Sequence, residues 1–492
     1  MSKRILLVEP GYKTRYPPFG LMKISTYHKM KGDEVVFVKG CNNDIQYQYW
    51  DRVYISTLFT WTWEKTISTI RFYHSTLFNF AGKCFVGGIL ASLMPDELFN
   101  ETGIQPVIGL LDDPCKIEQD DDIIIDRLAP DYTILKQVEN DNFRYSYTDA
   151  YLGYTTRGCV WKCEFCAVKT FEPRYIPYID IKDMVKQIIK DSGKKQNLIL
   201  MDNNVLASTK FDQIIDDIQE IGFKKGAVFP PTGRKRIVDF NQGLDARFLT
   251  EHKMQRLSEI PLEPMRIAFD SIEYKDVYVK AVRLAHKHSQ REMSNYILYN
   301  FKDTPEDFYE RLKINIDLNR EFHNEFHDGH GPRTNIYSFP MRFIPLDAKK
   351  RNVYTGNDNW NRRYLRGLQV ILNVMRGTVM PGREFFLQAF GRDAAEFKAI
   401  LLMPDEFIRN RLVSDWRIST DYESRLMPYV KEWMHTYYEL SREDKHHLIS
   451  ILGTDNKETI RQMYNSSVNG NVRKLLKSHM EEEEIVSKYK HT

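Results

Sequence analysis

Residues 1–140 alternate short apolar runs with amphipathic segments. Apolar runs bounded by polar turns are typical of buried strands, and amphipathic segments between them are typical of helices that cover a sheet. A helix from about Leu21 to Met30 is expected to end before Gly32, which suits the left-handed cap position. The pattern therefore predicts a parallel α/β sheet. Its predicted strands are Ile5–Val8, Val35–Val38, Val53–Ser56, Phe85–Gly87 and Val107–Leu110.

From Tyr151 to about Phe343 the strand and helix units become longer. Residues 210–221 carry apolar side chains at helical spacing on one side, and Gly222 follows as a stop. A second helix is predicted to begin at Thr304, with proline in its first turn. Predicted strands precede these helices at Leu198–Met201 and Tyr296–Tyr299. Repeated units of this kind predict a full or partial barrel, with functional residues on the loops after the strands.

After residue 345 the pattern is mostly helical. The predicted helices are Tyr364–Met375, Asp393–Leu402, Pro404–Leu412, Met427–Glu439 and Arg442–Leu452. The highly charged tail from Glu481 to His491 is expected to be frayed and solvated. The predicted fold class is α/β, with three domains at 1–145, 146–345 and 346–492.

Bulk properties limit the function classes. The 492 residues are 42% hydrophobic and 28% charged, enough for two or three packed domains, and the formal net charge is only +3. A nucleic-acid partner is therefore not expected, and the basic loop from Lys224 to Arg236 is interpreted as solvated. Six cysteines indicate a reducing compartment, and no apolar run approaches the roughly 18 residues of a membrane span. A cytoplasmic protein without a membrane segment is predicted.

Three of the six cysteines form one motif. Cys159, Cys163 and Cys166 have the spacing C-x-x-x-C-x-x-C. Thiolates are soft ligands that select iron–sulfur clusters, zinc or copper(I), and three of them leave one metal position open. The next histidine is His252, so no nearby residue closes a zinc site. The pattern favours an iron–sulfur cluster, with a zinc knuckle or a chance group of buried thiols as alternatives.

At these residues the chain resembles the radical S-adenosylmethionine (radical SAM) superfamily, whose motif has an aromatic residue before the last cysteine, here Phe165. The resemblance implies a [4Fe-4S] cluster held by the three cysteines, with S-adenosylmethionine on the unique iron and Phe165 on its adenine side. It also implies a (β/α)6 partial TIM barrel, and a reductant such as flavodoxin or ferredoxin. Such an enzyme cleaves S-adenosylmethionine to methionine and a 5′-deoxyadenosyl radical.

A second resemblance concerns the N-terminal region. Residues 17–21, 53–56 and 86–92 resemble the Rossmann-like, cobalamin-binding-type domain that precedes the barrel in one branch of the superfamily. Gly87 and Gly88 end a predicted strand, where a ligand can approach the backbone or the chain can turn tightly into a helix. The cobalt-ligating pattern Asp-x-His-x-x-Gly is absent from this region. Members of this branch bind cobalamin without that histidine or bind none, so cobalamin is left open.

Polar residues after the later predicted strands are candidate cofactor contacts. By the resemblance, Asp202 and Asn203 occupy the place of a Gly-Gly-Glu-type segment that binds the amino group of S-adenosylmethionine, and an Asx turn is the alternative. Asp245 and Arg247 are candidates for ribose or carboxylate contacts, or else a surface ion pair. The remaining candidate cofactor or substrate contacts are Ser271 and Glu273.

The sequence thus predicts a radical SAM enzyme, with cobalamin-assisted methylation first and a cobalamin-free rearrangement or cyclisation second. A methylthiotransferase is a further alternative, because Cys41, Cys84 and Cys115 match the number of ligands for a second cluster. A non-enzymatic zinc-binding nucleic-acid protein is the alternative from another class. The residues do not identify the substrate, the product or the oligomeric state.

Overall fold

The computed structural model describes residues 2–74, 83–118, 121–329, 333–356, 359–412, 420–466 and 469–490. It is a mixed α/β protein with parallel sheets and many helices. The chain divides into two compact units, residues 1–266 with 344–353 and residues 267–343 with 354–492. The predicted division into 1–145, 146–345 and 346–492 stays a prediction. None of the described helices is both long and apolar enough to cross a membrane.

The first unit contains two parallel sheets and a short antiparallel hairpin. Its strands are Arg4–Glu9 (β1), Glu34–Lys39 (β2), Arg52–Thr57 (β3), Cys84–Gly88 (β4), Ala150–Gly153 (β5), Asn197–Leu200 (β6), Val228–Phe229 (β7), Arg234–Lys235 (β8) and Val238–Phe240 (β9). Its helices are Phe19–Met30 (α1), Asn43–Gln46 (α2), Trp63–His74 (α3), Ile89–Leu93 (α4), Pro95–Thr102 (α5), Val168–Phe171 (α6), Lys182–Ser192 (α7), Phe211–Glu220 (α8) and Glu251–Leu257 (α9).

The N-terminal sheet has the strand order β2–β1–β3–β4, and the paired strands are parallel. Apolar residues of β1, β3 and β4 are buried against α3, α4 and α5, which explains why these runs form strands. From β1 the chain passes to β2 on one side of β1, and it later returns to form β3 on the other side of β1. The order in which strands are added to the sheet therefore reverses at β1. Ligands of open α/β sheets bind at such a reversal, beyond the carboxyl ends of the strands.

Four of the five predicted N-terminal strands are confirmed. The fifth, Val107–Leu110, is wrong as a strand, because only Val107 pairs, in an isolated parallel bridge with Gly87. Gly109 follows with a φ of 75°, which interrupts an extended conformation.

The second parallel sheet of the first unit has the order β5–β6–β9. Helix α8 confirms the helix predicted at 210–221, with Ile214, Ile215 and Ile218 buried. The hairpin β7–β8 lies within the basic loop, and Lys224, Lys225, Arg234 and Lys235 are exposed, as the sequence suggests. The prediction is wrong for Arg236, which is buried and donates to the carbonyls of Lys195 and Gln196.

The second unit carries a three-stranded sheet of order β10–β11–β12 and a large helical region. The sheet consists of strands Met265–Ala268 (β10), Glu292–Tyr299 (β11) and Asn335–Arg342 (β12). Strand β10 spans the boundary between the two units. The helices are Lys275–Lys287 (α10), Pro305–His327 (α11), Arg362–Val374 (α12), Arg383–Phe390 (α13), Ala394–Leu402 (α14), Asp405–Leu412 (α15), Thr420–Glu439 (α16), Arg442–Leu452 (α17), Lys457–Asn465 (α18), Gly470–Met480 (α19) and Glu482–Lys490 (α20). Closure of the sheets into one partial barrel stays a prediction.

The helical region packs on β11 and α11 through one apolar core. Trp360 is fully buried there, and its indole Nε1 donates to the Asp303 carbonyl at 3.0 Å. Helix α11 begins with the predicted cap at Thr304, completed by Asp307 as a capping box. The prediction of a frayed tail is wrong for residues 482–490, because they form α20 and Ile485 packs against this core. His491 lies outside the described residues.

Candidate functional site

The three motif cysteines follow the carboxyl end of β5, in the segment before α6. Cys159, Cys163 and Cys166 are all partly exposed, and the Cys166 amide donates to the Cys163 carbonyl at 3.2 Å. Across the described ranges, no three His, Cys, Asp or Glu side chains are gathered into a metal-holding group. The donor set is three soft thiols on one short segment, which suits an iron–sulfur cluster with one open iron.

Asp202 holds the chain that leads into this segment. Its carboxylate is fully buried and accepts hydrogen bonds from the backbone amides of Thr155 and Thr156 and from both of their hydroxyls. The Thr155 amide lies 3.0 Å from Oδ1, and each hydroxyl lies 2.7 Å from it. Burial raises the pKa of Asp202, and these hydrogen bonds oppose that rise. Asp202 therefore fixes the connection between β5 and the cysteines.

Glu172 holds the start of the motif from the other side. It is buried, and its Oε2 accepts the Gly158 amide at 2.7 Å and the Asn203 side-chain amide at 2.9 Å. Its Oε1 accepts from the Arg157 guanidinium at 2.8 Å. Arg157 also pairs with Asp126. Burial alone would raise the pKa of Asp126, but Lys23 and Arg157 lower it to about 2, so this carboxylate is charged at neutral pH.

Gly158 is required by the backbone before the first cysteine. Its φ is 71°, and a Cβ atom at this position would lie 2.3 Å from the Arg174 carbonyl oxygen. We expect Gly158→Ala to lower the free energy of unfolding by more than the about 1–3 kcal/mol of a positive φ alone. Gly226→Ala is the matched control, since Gly226 has a φ of 77° and open space around it.

Chemical denaturation of both variants measures this difference. Equal losses of stability for Gly158→Ala and Gly226→Ala would contradict the close approach to Arg174.

A group of polar residues surrounds the first cysteine. Trp161 donates its backbone amide to Cys159 Sγ at 3.4 Å, and Asn204 donates its side-chain amide to the same sulfur at 3.7 Å. Asp245 accepts from the Trp161 indole at 2.8 Å and from Asn204 at 3.0 Å. The Arg247 guanidinium pairs with Asp245 and lies 4.2 Å from the Trp161 ring centroid.

The structure therefore brings four predicted residues close to the motif. Asp202, Asn203 and Asp245 each contact the motif segment or the residues that hold it, and Arg247 reaches it through Asp245 and Trp161. The carboxylate oxygens of Asp202 and Asp245 already accept hydrogen bonds from other residues of this chain. Their predicted contacts with a cofactor stay predictions.

The other predicted residues are placed as follows. Phe165 is partly buried within the motif. Ser271 lies in the second unit and caps a short 3-10 helix, Ile272–Tyr274, by accepting the Glu273 amide. Glu273 is exposed. The cap explains Ser271 structurally, and the cofactor or substrate role of both residues stays a prediction.

Sequence reasoning missed Arg157, Glu172, Asn204 and Trp161. Trp161 and Arg157 lie in or beside the motif and could have been noted for that reason. Asn204 directly follows two predicted residues. Glu172 contacts Gly158 from 14 positions away, and no local pattern in the sequence announces that pairing.

A cavity of about 630 Å³ lies within the first unit, at the carboxyl ends of the N-terminal strands. Glu9, Thr57 and Gly88 line it from the sheet, and Arg157 and Asn203 line it from the side of the cysteine segment. Its size is in the range of cofactor and ligand sites. The cavity lies at the reversal of strand order between β1 and β3, where the sheet topology predicts a ligand.

The cavity lies at the carboxyl ends of the strands and is lined from both faces of the sheet. Along β3, Tyr54 and Ser56 point to one side and Thr57 points to the other. Tyr54 and Phe85 stack with ring centroids 5.0 Å apart. Gly88 has a φ of 112°, and a Cβ atom there would lie 2.2 Å from the Thr57 carbonyl oxygen. The positive φ and the close approach of the Thr57 backbone are therefore enough to require glycine at position 88, without any ligand.

No family model matches the chain, and no curated protein matches it. Solved structures do resemble it. Two of them are structures of the radical S-adenosylmethionine methyltransferase TsrM from Kitasatospora setae. One has tryptophan substrate and the analogue aza-SAM bound, is 14% identical, covers 64% of this chain and 71% of that chain, and has a TM-score of 0.47. The other has cobalamin and a [4Fe-4S] cluster bound, is 14% identical, covers 70% and 77%, and has a TM-score of 0.46.

A third similar structure is Streptococcus suis SuiB bound to precursor peptide SuiA. It is 12% identical, covers 46% of each chain, and has a TM-score of 0.30. The first two belong to the superfamily that the cysteine motif resembles. At these identities and scores, the likeness carries neither an activity nor a cofactor over to this chain.

Proposed function

We propose that this chain is a radical SAM enzyme in which Cys159, Cys163 and Cys166 hold a [4Fe-4S] cluster. The observation that carries the proposal is the C-x-x-x-C-x-x-C spacing of three partly exposed thiols at the carboxyl end of a parallel strand. Catalytic residues of β/α units lie at this end of the strands. When bound, such a cluster supplies the electron that splits S-adenosylmethionine into methionine and a 5′-deoxyadenosyl radical.

The chain's own residues have defined tasks in this proposal. Asp202 fixes the backbone of Thr155 and Thr156, and Glu172 fixes that of Gly158, so that both hold the chain immediately before Cys159. Phe165 is assigned to the adenine side of S-adenosylmethionine by the superfamily resemblance. Asn203, whose amide is held by Glu172, is assigned with Asp202 to the region of the amino group.

Metal analysis and product analysis test this proposal. Anaerobically reconstituted protein is expected to hold about four iron and four sulfide ions per chain. With a strong reductant it is expected to release methionine and 5′-deoxyadenosine from S-adenosylmethionine. A colourless protein with one equivalent of zinc would contradict the proposal and favour the zinc-binding alternative.

We further propose that the cavity beside this segment takes cobalamin and that the reaction is a methylation of an unreactive carbon. Support comes from the cavity's place at the reversal of strand order and from its predominantly apolar lining. A cobalamin-free rearrangement or cyclisation is the second candidate, with the same cavity holding substrate instead.

Cobalamin retention by wild-type protein separates these two candidates, and a cavity-filling variant tests whether the cavity is where cobalamin binds. Ser56→Trp is expected to abolish cobalamin retention, because Ser56 lines the cavity, and to leave the iron content unchanged. Ser68→Trp, on the exposed side of α3, is the control. If wild-type protein purified with cobalamin retains none, methylation loses its support and the radical SAM assignment stands.

The methylthiotransferase alternative needs a second cluster on Cys41, Cys84 and Cys115. Cys84 begins β4, whereas Cys41 follows the opposite end of β2. These strands are three positions apart in the sheet, roughly 14 Å at about 4.8 Å per strand. Burial also raises the pKa of the Cys84 thiol to about 12, which disfavours the thiolate. The fold therefore opposes a shared cluster, and about eight iron ions per chain would be needed to restore it.

A further inference from the structure

Asn204 lies beside the motif with the nitrogen of its side-chain amide paired and the oxygen unpaired among the described residues. Its amide nitrogen lies 3.7 Å from Cys159 Sγ and 3.0 Å from Asp245 Oδ2. Both partners are acceptors, so the nitrogen and not the oxygen of the amide must face them. The opposite atom, Oδ1, is buried without a hydrogen-bond partner among the described residues. A buried unpaired acceptor costs about 1–3 kcal/mol, which favours a functional reason for this residue.

Asn204 is held in this orientation from two sides. The Tyr175 hydroxyl donates to the Asn204 carbonyl at 3.0 Å, which fixes its backbone. Asp245, which accepts the Asn204 amide, is itself fixed by Arg247 through contacts of 2.7 and 2.9 Å and by the Trp161 indole at 2.8 Å. The Asn204 side chain is therefore oriented before any ligand arrives.

Two N–H groups then point at the same sulfur. The Trp161 backbone amide is the first, at 3.4 Å, and the Asn204 side-chain amide is the second. Hydrogen bonds to the sulfurs of an iron–sulfur cluster are one of the factors that set its reduction potential. They favour the reduced state, because that state places more negative charge on the sulfurs.

We propose that Asn204, oriented by Asp245, is a positioning residue that raises the reduction potential of the cluster through Cys159. This inference rests on the proposed function, since it requires a cluster on the three cysteines. It assigns to Asn204 a task in electron transfer into the site and assigns to Asp245 and Arg247 the task of orienting it. No contact of these residues with substrate is needed.

A redox titration followed by electron paramagnetic resonance tests the inference. Asn204→Leu removes the amide at similar size and is expected to lower the midpoint potential, so that the reduced-to-oxidised ratio at a fixed potential falls about three- to tenfold. Asn373→Leu is the matched control, because it makes the same substitution at an exposed position of α12 in the second unit. Its midpoint potential is expected to match that of wild type.

The outcomes separate this inference from the proposed function. Wild-type protein that holds no cluster overturns both. Wild-type protein with a cluster, together with an unchanged potential in Asn204→Leu, overturns only the role of Asn204. If Asn204→Leu does not fold, Asn204→Ala, which adds no bulk, is titrated with the same expected shift. An equal shift in Asn373→Leu would also overturn the role of Asn204, because that substitution lies outside the candidate site.

Discussion

Replacing Cys163 by alanine is expected to reduce the iron content of anaerobically reconstituted protein from about four ions per chain to nearly none. Two thiolates cannot hold a cubane cluster that needs three protein ligands, and no other cysteine lies on the same segment. Cleavage of S-adenosylmethionine is expected to disappear with the iron. Iron and sulfide quantification, with an absorption spectrum, measures the effect.

Cys115→Ala is the control for this prediction. Cys115 is exposed and lies in the loop after the N-terminal sheet, outside the motif. The Cys115→Ala substitution is expected to leave the iron content, the sulfide content and the cleavage of S-adenosylmethionine unchanged. Full iron content in Cys163→Ala, or loss of iron in Cys115→Ala, would show that other residues hold the metal.

Asp202→Ala is expected to lower the free energy of unfolding by about 3–5 kcal/mol and to reduce cluster loading. The substitution leaves four buried donors of Thr155 and Thr156 without their acceptor, and each unpaired buried group is costly. Asp202→Asn is expected to lose less stability than Asp202→Ala, since all four donors reach the single oxygen Oδ1, which asparagine keeps, and only the Thr155 amide also faces Oδ2. Denaturant titration of the apoprotein measures the effect separately from metal binding.

Asp183→Ala provides the comparison on a surface carboxylate. The Asp183 side chain is 87% exposed, and within the described ranges its only ion-pair partner is Lys186. Exposed ion pairs contribute about 0–1 kcal/mol, so little change is expected. Similar losses in Asp183→Ala and Asp202→Ala would contradict the structural role of Asp202.

The order of strands and helices could be predicted from the sequence where local patterns suffice. The strands β1 to β4 are continuous apolar runs, and α8 has apolar side chains at regular helical spacing. Helices α18 and α19 were not predicted, although each has a polar cap residue, because few of their side chains are buried. The charged segment of α20 was misjudged because its helix is stabilised by a distant core.

The three cysteine ligands of the candidate site could be predicted from the sequence, but only some of the polar residues that surround them could. Cysteine spacing is a local property, so the motif could be found directly. Asp245 and Arg247 were noted because they follow a strand, but their alignment with Trp161 depends on a contact across 84 positions. Glu172 and Asn204 are ordinary polar residues in the sequence, and only the fold brings them to Gly158 and Cys159.

The proposed activity requires a cluster held by Cys159, Cys163 and Cys166 with one iron open to S-adenosylmethionine. Mössbauer spectroscopy of protein reconstituted with iron-57, with and without S-adenosylmethionine, tests it most directly. Four iron sites of a [4Fe-4S] cluster are expected, one of which changes its isomer shift when S-adenosylmethionine binds. Four sites that do not respond, or an absence of cluster iron in anaerobically reconstituted protein, would contradict it.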